Sequence, residues 1–452
     1  MCNLGFAETR LPAFFSDNMV LQRDSEVAVW GWDEPGQRVS VLAGWGERAR
    51  GGADADGRWR VTLPTPGAGG PFSLAVKGSS KVEIANVMFG EVWFASGQSN
   101  MDMRVHGNIN QPIIGSNEAI LQSSNDRIRL YTVARQWSDS PLEDVEGAWA
   151  VAGPESVKAF SAVGYFFAQK LEALVDVPVG IIVSAWGGSN VESWIDAETL
   201  QGYGHLSFRE ATRGQPPRRT PSALFNGMLN PLLGYGMRGV IWYQGESNRA
   251  RPAEYEVLFP AMIESWREKW GIGGFPFYYV QIAPKDWEQG NSAFLREAQL
   301  HSMDALPNMG MAVTMDIGEC KQIHPAEKRS VADRLAYWAL ARDYGFDAIS
   351  FSGPVFREMQ AGEDGKVRLL FDHAPYGLTT YGVELAGFEL AGADRVFHPA
   401  QAVIESAEVA ITAWSEAVPE PVAVRYGFED CPAASLYNTQ GLPASSFRSD
   451  DW

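Results

Sequence analysis

Val87-Met-Phe-Gly-Glu-Val-Trp-Phe-Ala95, running directly into Ser96-Gly-Gln-Ser-Asn-Met101, is the stretch on which the fold turns. A largely apolar run of strand length that ends in a small, polar, glycine-containing turn reads as a buried strand leading into a helix. Four further runs have the same character: Val177–Ser184, Arg238–Tyr243, Phe275–Ile282 and Met309–Met315. Between them lie stretches of helical periodicity at Val163–Val175, Ala223–Leu233, Tyr255–Trp270 and Phe294–Leu306. A last helix is expected from Pro325, which suits a first helical turn, to about Tyr344, with Val331, Leu335 and Trp338 on one face. Buried strands alternating with helices imply a three-layer α/β domain with a parallel sheet, here over residues 86–345.

Outside that segment the rhythm is different. Residues 1–85 carry short alternating runs, Val27-Ala-Val-Trp-Gly-Trp32, Arg58-Trp-Arg-Val-Thr62 and Phe72-Ser-Leu-Ala-Val76, separated by Gly, Pro and Asp. They read as strands of a small β-sandwich-like domain, with a hairpin turn at Asp54-Ala-Asp-Gly57. Residues 346–452 return to strands at Val367–Phe371, Val409–Trp414 and Val422–Tyr426, and Leu442–Trp452 reads as an extended strap.

Composition narrows the function. The 452 residues hold 37 Lys and Arg against 55 Asp and Glu, a net charge of 37 − 55 = −18. That balance argues against a nucleic-acid partner, which needs a basic surface. No run approaches the ~20 apolar residues of a membrane span. Cys2, Cys320 and Cys431 are too few and too scattered for a disulfide framework or zinc cluster, and six His give metal catalysis little support. The start, Met1–Phe6, lacks the basic and apolar segments of a signal peptide, which leaves the compartment open. Aromatics make up 12%, with 16 Trp, a load that serves sugar recognition or core packing.

In open α/β sheets ligands bind beyond the carboxyl ends of the strands, so the strand exits hold the candidate chemistry. After the first strand, Ser99 sits where a hydroxyl can be presented at a helix start; a simple helix cap is the alternative. The second exit, Ser184-Ala-Trp-Gly-Gly-Ser-Asn190, has paired glycines that let a backbone N–H approach a ligand, or that merely make a tight turn. The third, Trp242-Tyr-Gln-Gly-Glu-Ser-Asn248, offers amide donors and a carboxylate. The fifth leads through Asp316-Ile-Gly-Glu-Cys320 to His324. A nucleophile, donors for an oxyanion and a base are the minimum set for acyl transfer.

Together Gly97-Gln-Ser-Asn-Met101, Trp186-Gly-Gly188 with Glu192-Ser-Trp194, Trp242–Asn248 and Ile323-His-Pro-Ala-Glu-Lys328 resemble the sialate O-acetylesterase family of SGNH-type hydrolases. Pro221–Met228, Phe275–Phe277 with Gln281, Leu295–Gln299, Phe15–Gln22 and Gly441–Trp452 extend the likeness over essentially the whole chain. The resemblance implies a flavodoxin-like hydrolase domain between β domains that removes O-acetyl groups from sugars without a cofactor. It implies Ser99 as nucleophile and His324 as base. The oxyanion hole would comprise the Ser99 N–H, a Gly188 (or Gly187) N–H and a side chain from Gln244 or Asn248, with Gln244 slightly preferred. Such hydrolases commonly carry an aspartate two or three residues before the histidine, but here those positions are Gln322 and Lys321. Asp316, Glu319 and Glu246 are the available acids; otherwise the site is a Ser–His dyad.

The expected partner is an acetylated sugar or oligosaccharide, from sialic acid to plant polysaccharide. Trp186, Arg218 and Arg219 are candidate contacts, because arginine binds carboxylates bidentately, although such residues also serve as solvated surface charge. Two other readings compete: a carbohydrate-binding protein with a degenerate hydrolase core, and a glycosidase using Glu246 and Asp316.

Overall fold

The computed structural model describes residues 8–362, 364–405 and 408–452; Cys2 and the Met1–Phe6 start lie outside them. It divides into two compact units, Met1–Trp242 with Ala261–Phe277, and Tyr243–Pro260 with Tyr278–Trp452.

The first unit begins with strands β1 (Val20–Gln22), β2 (Glu26–Trp32), β3 (Arg38–Ala43), β4 (Arg48–Gly52), β5 (Arg58–Pro64) and β6 (Gly69–Lys77). In β5, Trp59, Val61 and Leu63 are buried and Arg58, Arg60 and Thr62 are exposed, the period-2 pattern of a half-buried strand. The Asp54–Gly57 turn forms, with Gly57 at φ 79° and the Asp54 carboxylate accepting from the Asp56 and Arg58 N–H groups. It does not close a two-stranded hairpin, because β5 pairs with β2 while β4 pairs with β3.

Strand β7 (Lys81–Gly97) is 17 residues long and serves two neighbourhoods. Its first part pairs antiparallel with β6 and, over Met88–Gly90, parallel with β1. Its second part, Glu91–Gly97, pairs parallel with β10 (Val179–Ala185). Around it the strand order is β11 (Gly239–Tyr243), β7, β10, β8 (Asn125–Thr132), β9 (Trp149–Ala152). Strands β7, β10 and β8 are parallel, but β9 runs antiparallel to β8, so the sheet is mixed rather than wholly parallel. The periodicity reading did not single out β8 or β9. The first alternates apolar residues with Arg127 and Arg129, and the second has only four residues.

The Ala162–Val175 helix matches expectation, capped by Ser161 Oγ on the Gly164 N–H. Ala223–Leu233 does not form a regular α-helix. Phe225–Leu229 is a π-turn and Asn230–Leu232 a 3-10 turn. Pro231 brings no N–H to a helical ladder, and Gly227 packs so tightly on the Gln136–Trp137 backbone that a Cβ would come within 2.6 Å of a carbonyl oxygen.

Where β7 enters the second neighbourhood, the fully buried Glu91 accepts from Arg23 Nε at 2.6 Å, Arg238 Nε at 2.9 Å and Gln22 Nε2 at 3.1 Å. Its carboxylate is held below its usual range; burial, which opposes this, is outweighed by hydrogen bonds and charge from Arg238 and Arg23.

In the second unit, β12 (Phe277–Val280) lies beside β13 (Met309–Ala312), with helices at Ala293–His301 and Lys328–Asp343. The latter starts at Lys328, not Pro325, because Glu327 is its cap, its carboxylate accepting from the Ser330 N–H at 3.0 Å. Val355–Ala361, Lys366–Asp372, Ala410–Trp414 and Gln401–Ile404 form one antiparallel sheet; Phe397–Pro399, Phe388–Ala391, Ala423–Tyr426 and Phe447–Arg448 form another. Leu369, Phe371, Leu390, Val424 and Phe447 share one core. The strap is pinned through Ser445 Oγ, which accepts from Gln281 Nε2, and Ser446 Oγ, which accepts from the fully buried Arg296. Among the described residues no helix is long and apolar enough to cross a membrane.

Removing one member of a buried charge cluster strands the others. Glu91→Ala is therefore expected to lower the unfolding free energy by about 3–5 kcal/mol, to be read by thermal and urea unfolding.

Candidate functional site

The candidate residues fall into two groups, each built within one unit. In the first unit, β7 ends at Gly97, whose φ of 135° suits glycine. Ser99 opens the short helix Ser99–Asp102, held by the buried Asn100 and Met101, and is itself half-buried. The β7–β10 register sets what faces it. Ala185 pairs with Gly97, and the Trp186 N–H donates to the Gly97 carbonyl at 3.1 Å. Gly187 follows so closely that an added Cβ would lie 3.3 Å from the Ser99 Cβ. Gly188, at φ 77°, accepts from Arg219 Nε at 3.0 Å through its carbonyl, and its α-carbon faces the Arg218 guanidinium. Ser99, Trp186, Gly187, Gly188, Arg218 and Arg219 thus belong to one neighbourhood, with Arg218 and Arg219 half-buried in the 3-10 turn Pro217–Arg219.

Trp194 and Trp242 have a different part. Both are fully buried, their rings meet edge-on at 6.0 Å, and Trp266 continues the stack at 5.7 Å from Trp242. They are core.

In the second unit, Gln244, Glu246 and Asn248 are buried around a 3-10 turn. Gly245 has φ 157°, and a Cβ there would come within 2.6 Å of Ile282, so glycine is required. Gln244 Nε2 donates to Asn248 Oδ1 at 2.8 Å, while the Gln244 carbonyl accepts from Gln299 Nε2 at 3.1 Å and the Tyr255 hydroxyl at 3.3 Å. This bond assigns the Asn248 amide: its oxygen faces Gln244, and its Nδ2 donor is directed elsewhere.

His324 is half-buried in the loop before the Lys328 helix. Burial, with a smaller contribution from the Lys328 charge, pushes its pKa down to about 4, so the imidazole is neutral near pH 7. Lys328 is wholly buried, its ammonium 5.3 Å from the centre of the Tyr243 ring. Burial pushes Lys328 down to about 7 against the opposing charges of Glu246 and Glu319. Glu319 also accepts from the Ala326 N–H at 2.8 Å and so ties down the histidine loop. Asp316 is engaged otherwise: Arg334 grips both of its oxygens, at 2.7 and 2.6 Å. Lys321 pairs with Asp286 at 2.5 Å, and Gln322 is exposed.

Two features escaped the sequence reading. Cys320 and Cys431 form a disulfide across 111 residues, a single bond that the expectation of no disulfide framework did not foresee; sequence distance gives no sign of closeness in space. Asp286, Cys320 and Cys431 are a cluster of metal-donor types among the described residues, but the two sulfurs are bonded to each other. Lys328 was visible four residues after His324, yet lysine is the residue least expected in a core.

The chain matches the family model for carbohydrate esterase, sialic acid-specific acetylesterase, over residues 90–337. It is similar to the sialate O-acetylesterase of Mus musculus, 28% identical over 97% of this chain and 94% of that protein. It is also similar to that of Homo sapiens, 31% identical over 76% of this chain and 73% of that protein. A crystal structure of a carbohydrate acetylesterase from Xanthomonas citri superposes with a TM-score of 0.90 at 38% identity, covering 98% of this chain and 100% of that one.

The positive charge of Lys328 lowers the His324 pKa, so neutralising it should raise that pKa. In Lys328→Met the acidic limb of the pH–rate profile for a small ester is expected to move to higher pH, checked by kcat/KM between pH 3.5 and 8.

Proposed function

Because the chain belongs to the carbohydrate esterase family of sialic acid-specific acetylesterases and is a carboxylic ester hydrolase, we propose that it releases acetate from O-acetylated sugars through an acetyl-serine intermediate. The observation that carries this reading is the Gly97–Ala185 pairing, with Gly187 directly against Ser99: a hydroxyl and a glycine backbone held together by strand register. In this mechanism His324, neutral at pH 7, takes the Ser99 proton as Oγ attacks the acetyl carbonyl. The Ser99 and Gly188 N–H groups and a side-chain amide stabilise the oxyanion. The C–O bond to the sugar then breaks, and protonated His324 returns its proton to the departing alkoxide. Water, deprotonated by His324, attacks the acetyl-serine carbonyl, the C–O bond to Ser99 breaks, and His324 returns the proton to Ser99 Oγ as acetate leaves.

Asn248 is our choice for the side-chain donor rather than Gln244, since the Gln244–Asn248 bond engages the Gln244 amide and directs Asn248 Nδ2 away from it. For the acid we assign Glu319 a supporting role, through the Ala326 N–H and through the charge balance around Lys328. Asp316 is committed to Arg334, which speaks against it both as the triad acid and as a glycosidase acid. The half-buried Arg218 and Arg219 beside Gly188 favour a carboxylate-bearing sugar such as sialic acid. We read residues 86–345 as a flavodoxin-like SGNH domain between β-sandwich-like domains at 1–85 and 346–452. The Cys320–Cys431 bond favours an oxidising compartment.

Ser99→Ala should abolish release of 4-nitrophenol from its acetate while leaving the circular dichroism spectrum intact; retained turnover would sink the serine assignment. Asn248→Ala should lower kcat about 10²–10³-fold with little change in KM, whereas Gln244→Ala exceeding it would return the role to Gln244. Acetate release from acetylated sialic acids, compared with acetylated xylo- and manno-oligosaccharides, tests the preference for acidic sugars.

A further inference from the structure

The outer face of the β2–β5 pair carries side chains that the proposed reaction does not use. In the antiparallel register Trp30 lies opposite Arg60 and Trp32 opposite Arg58, so all four project from one face. The other face supplies the core through Val27, Val29, Val61 and Leu63. Part of the outer face is covered, since Trp30 packs on the buried Phe14 and Phe15 at 5.4 and 4.9 Å between ring centres, but both Trp30 and Trp32 remain only half-buried. They border an open cleft of about 390 Å³ that Asp54, Glu143, Asn230 and Pro231 also line.

The cations on this face are not equivalent. Arg58 is neutralised, with Asp56 at 3.0 Å and Glu143 at 2.5 Å. The Arg60 guanidinium lies 4.9 Å from the centre of the Trp30 ring, and among the described residues no carboxylate lies within ion-pair distance of it. Arg10 stacks in the same way on Trp32, at 4.4 Å. The rings and guanidinium planes are thus ordered by one another, and Arg60 keeps its in-plane donors for an anionic ligand. Pyranose rings present apolar C–H faces that pack on indole, and a sugar carboxylate matches the guanidinium fork. The cleft volume is within the range of small-ligand sites.

We infer that the Trp30–Trp32–Arg60 face is a glycan-binding site for a carboxylate-bearing sugar unit, separate from the ester-cleaving residues. It deepens the proposed function, on which it rests for the expectation of a sugar ligand. Its role is to hold an acidic glycan chain on the enzyme between deacetylation events. Sialic acid and glucuronic acid share this chemistry, and the probes distinguish them.

The test is calorimetric titration of the full-length Ser99→Ala chain with sialyllactose, with a glucuronic-acid-bearing xylo-oligosaccharide, and with lactose and xylotetraose as their neutral counterparts. One acidic probe is expected to bind at least ten-fold more tightly than its neutral counterpart, and whichever it is identifies the source. Adding Arg60→Ala should weaken that binding at least ten-fold, and adding Trp32→Ala, the second variant should Arg60→Ala fail to fold, should do the same. Neutral probes binding as tightly as acidic ones, or affinity unchanged in a folded variant, would overturn the site. Failure of the parent chain to hydrolyse 4-nitrophenyl acetate would instead overturn the esterase reading, and this site would stand on its own titration.

Discussion

The hydrogen-bond register between β7 and β10 is the constraint on which the first unit depends. Seven consecutive pairs, from Val179 opposite Glu91 to Ala185 opposite Gly97, fix where both strands end. Because both run parallel, their exits open on the same edge of the sheet, and the loops that follow are necessarily neighbours. Ser99 and Gly187 meet for that reason, and not through any affinity between the short motifs that carry them. Glu91 holds the other end of this ladder, where the strand leaves its N-terminal partners. A buried carboxylate shared by two arginines is tolerable only in one geometry, so it acts as a registration mark for the strand.

Much of this was legible beforehand, for identifiable reasons. β10, β11 and β13 are continuous apolar runs, and Ala162–Val175 and Pro252–Trp270 keep a clear helical period, so they stand out by pattern alone. β8 did not, because Arg129 is buried there and breaks the apolar signal. The helix expected at Ala223–Leu233 has the right apolar content, but Gly227 and Pro231 divert its hydrogen bonds into π and 3-10 turns. The candidate residues were legible as strand exits. Their supports were not: the burial of Lys328, the grip of Arg334 on Asp316 and the hydrogen bond that orients Asn248 are all facts of packing.

The histidine loop shows how a short segment is stiffened without secondary structure. Glu319 binds the Ala326 N–H across it, Glu327 caps the helix that follows, and the Cys320–Cys431 bond anchors its start. Lys328 adds an electrostatic element. A buried ammonium between two carboxylates is poised close to neutrality, and its charge helps keep the nearby imidazole unprotonated.

The continuity of β7 also bears on how such a chain can diverge. Side chains along a strand alternate between faces, so one inserted or deleted residue between Lys81 and Gly97 would invert every side chain beyond it and carry Gly97 off Ala185. Substitutions that respect volume can accumulate along this segment, but changes of length cannot. Descendants of this chain are free to lengthen and shorten instead in turns such as 202–207, where no ladder counts residues.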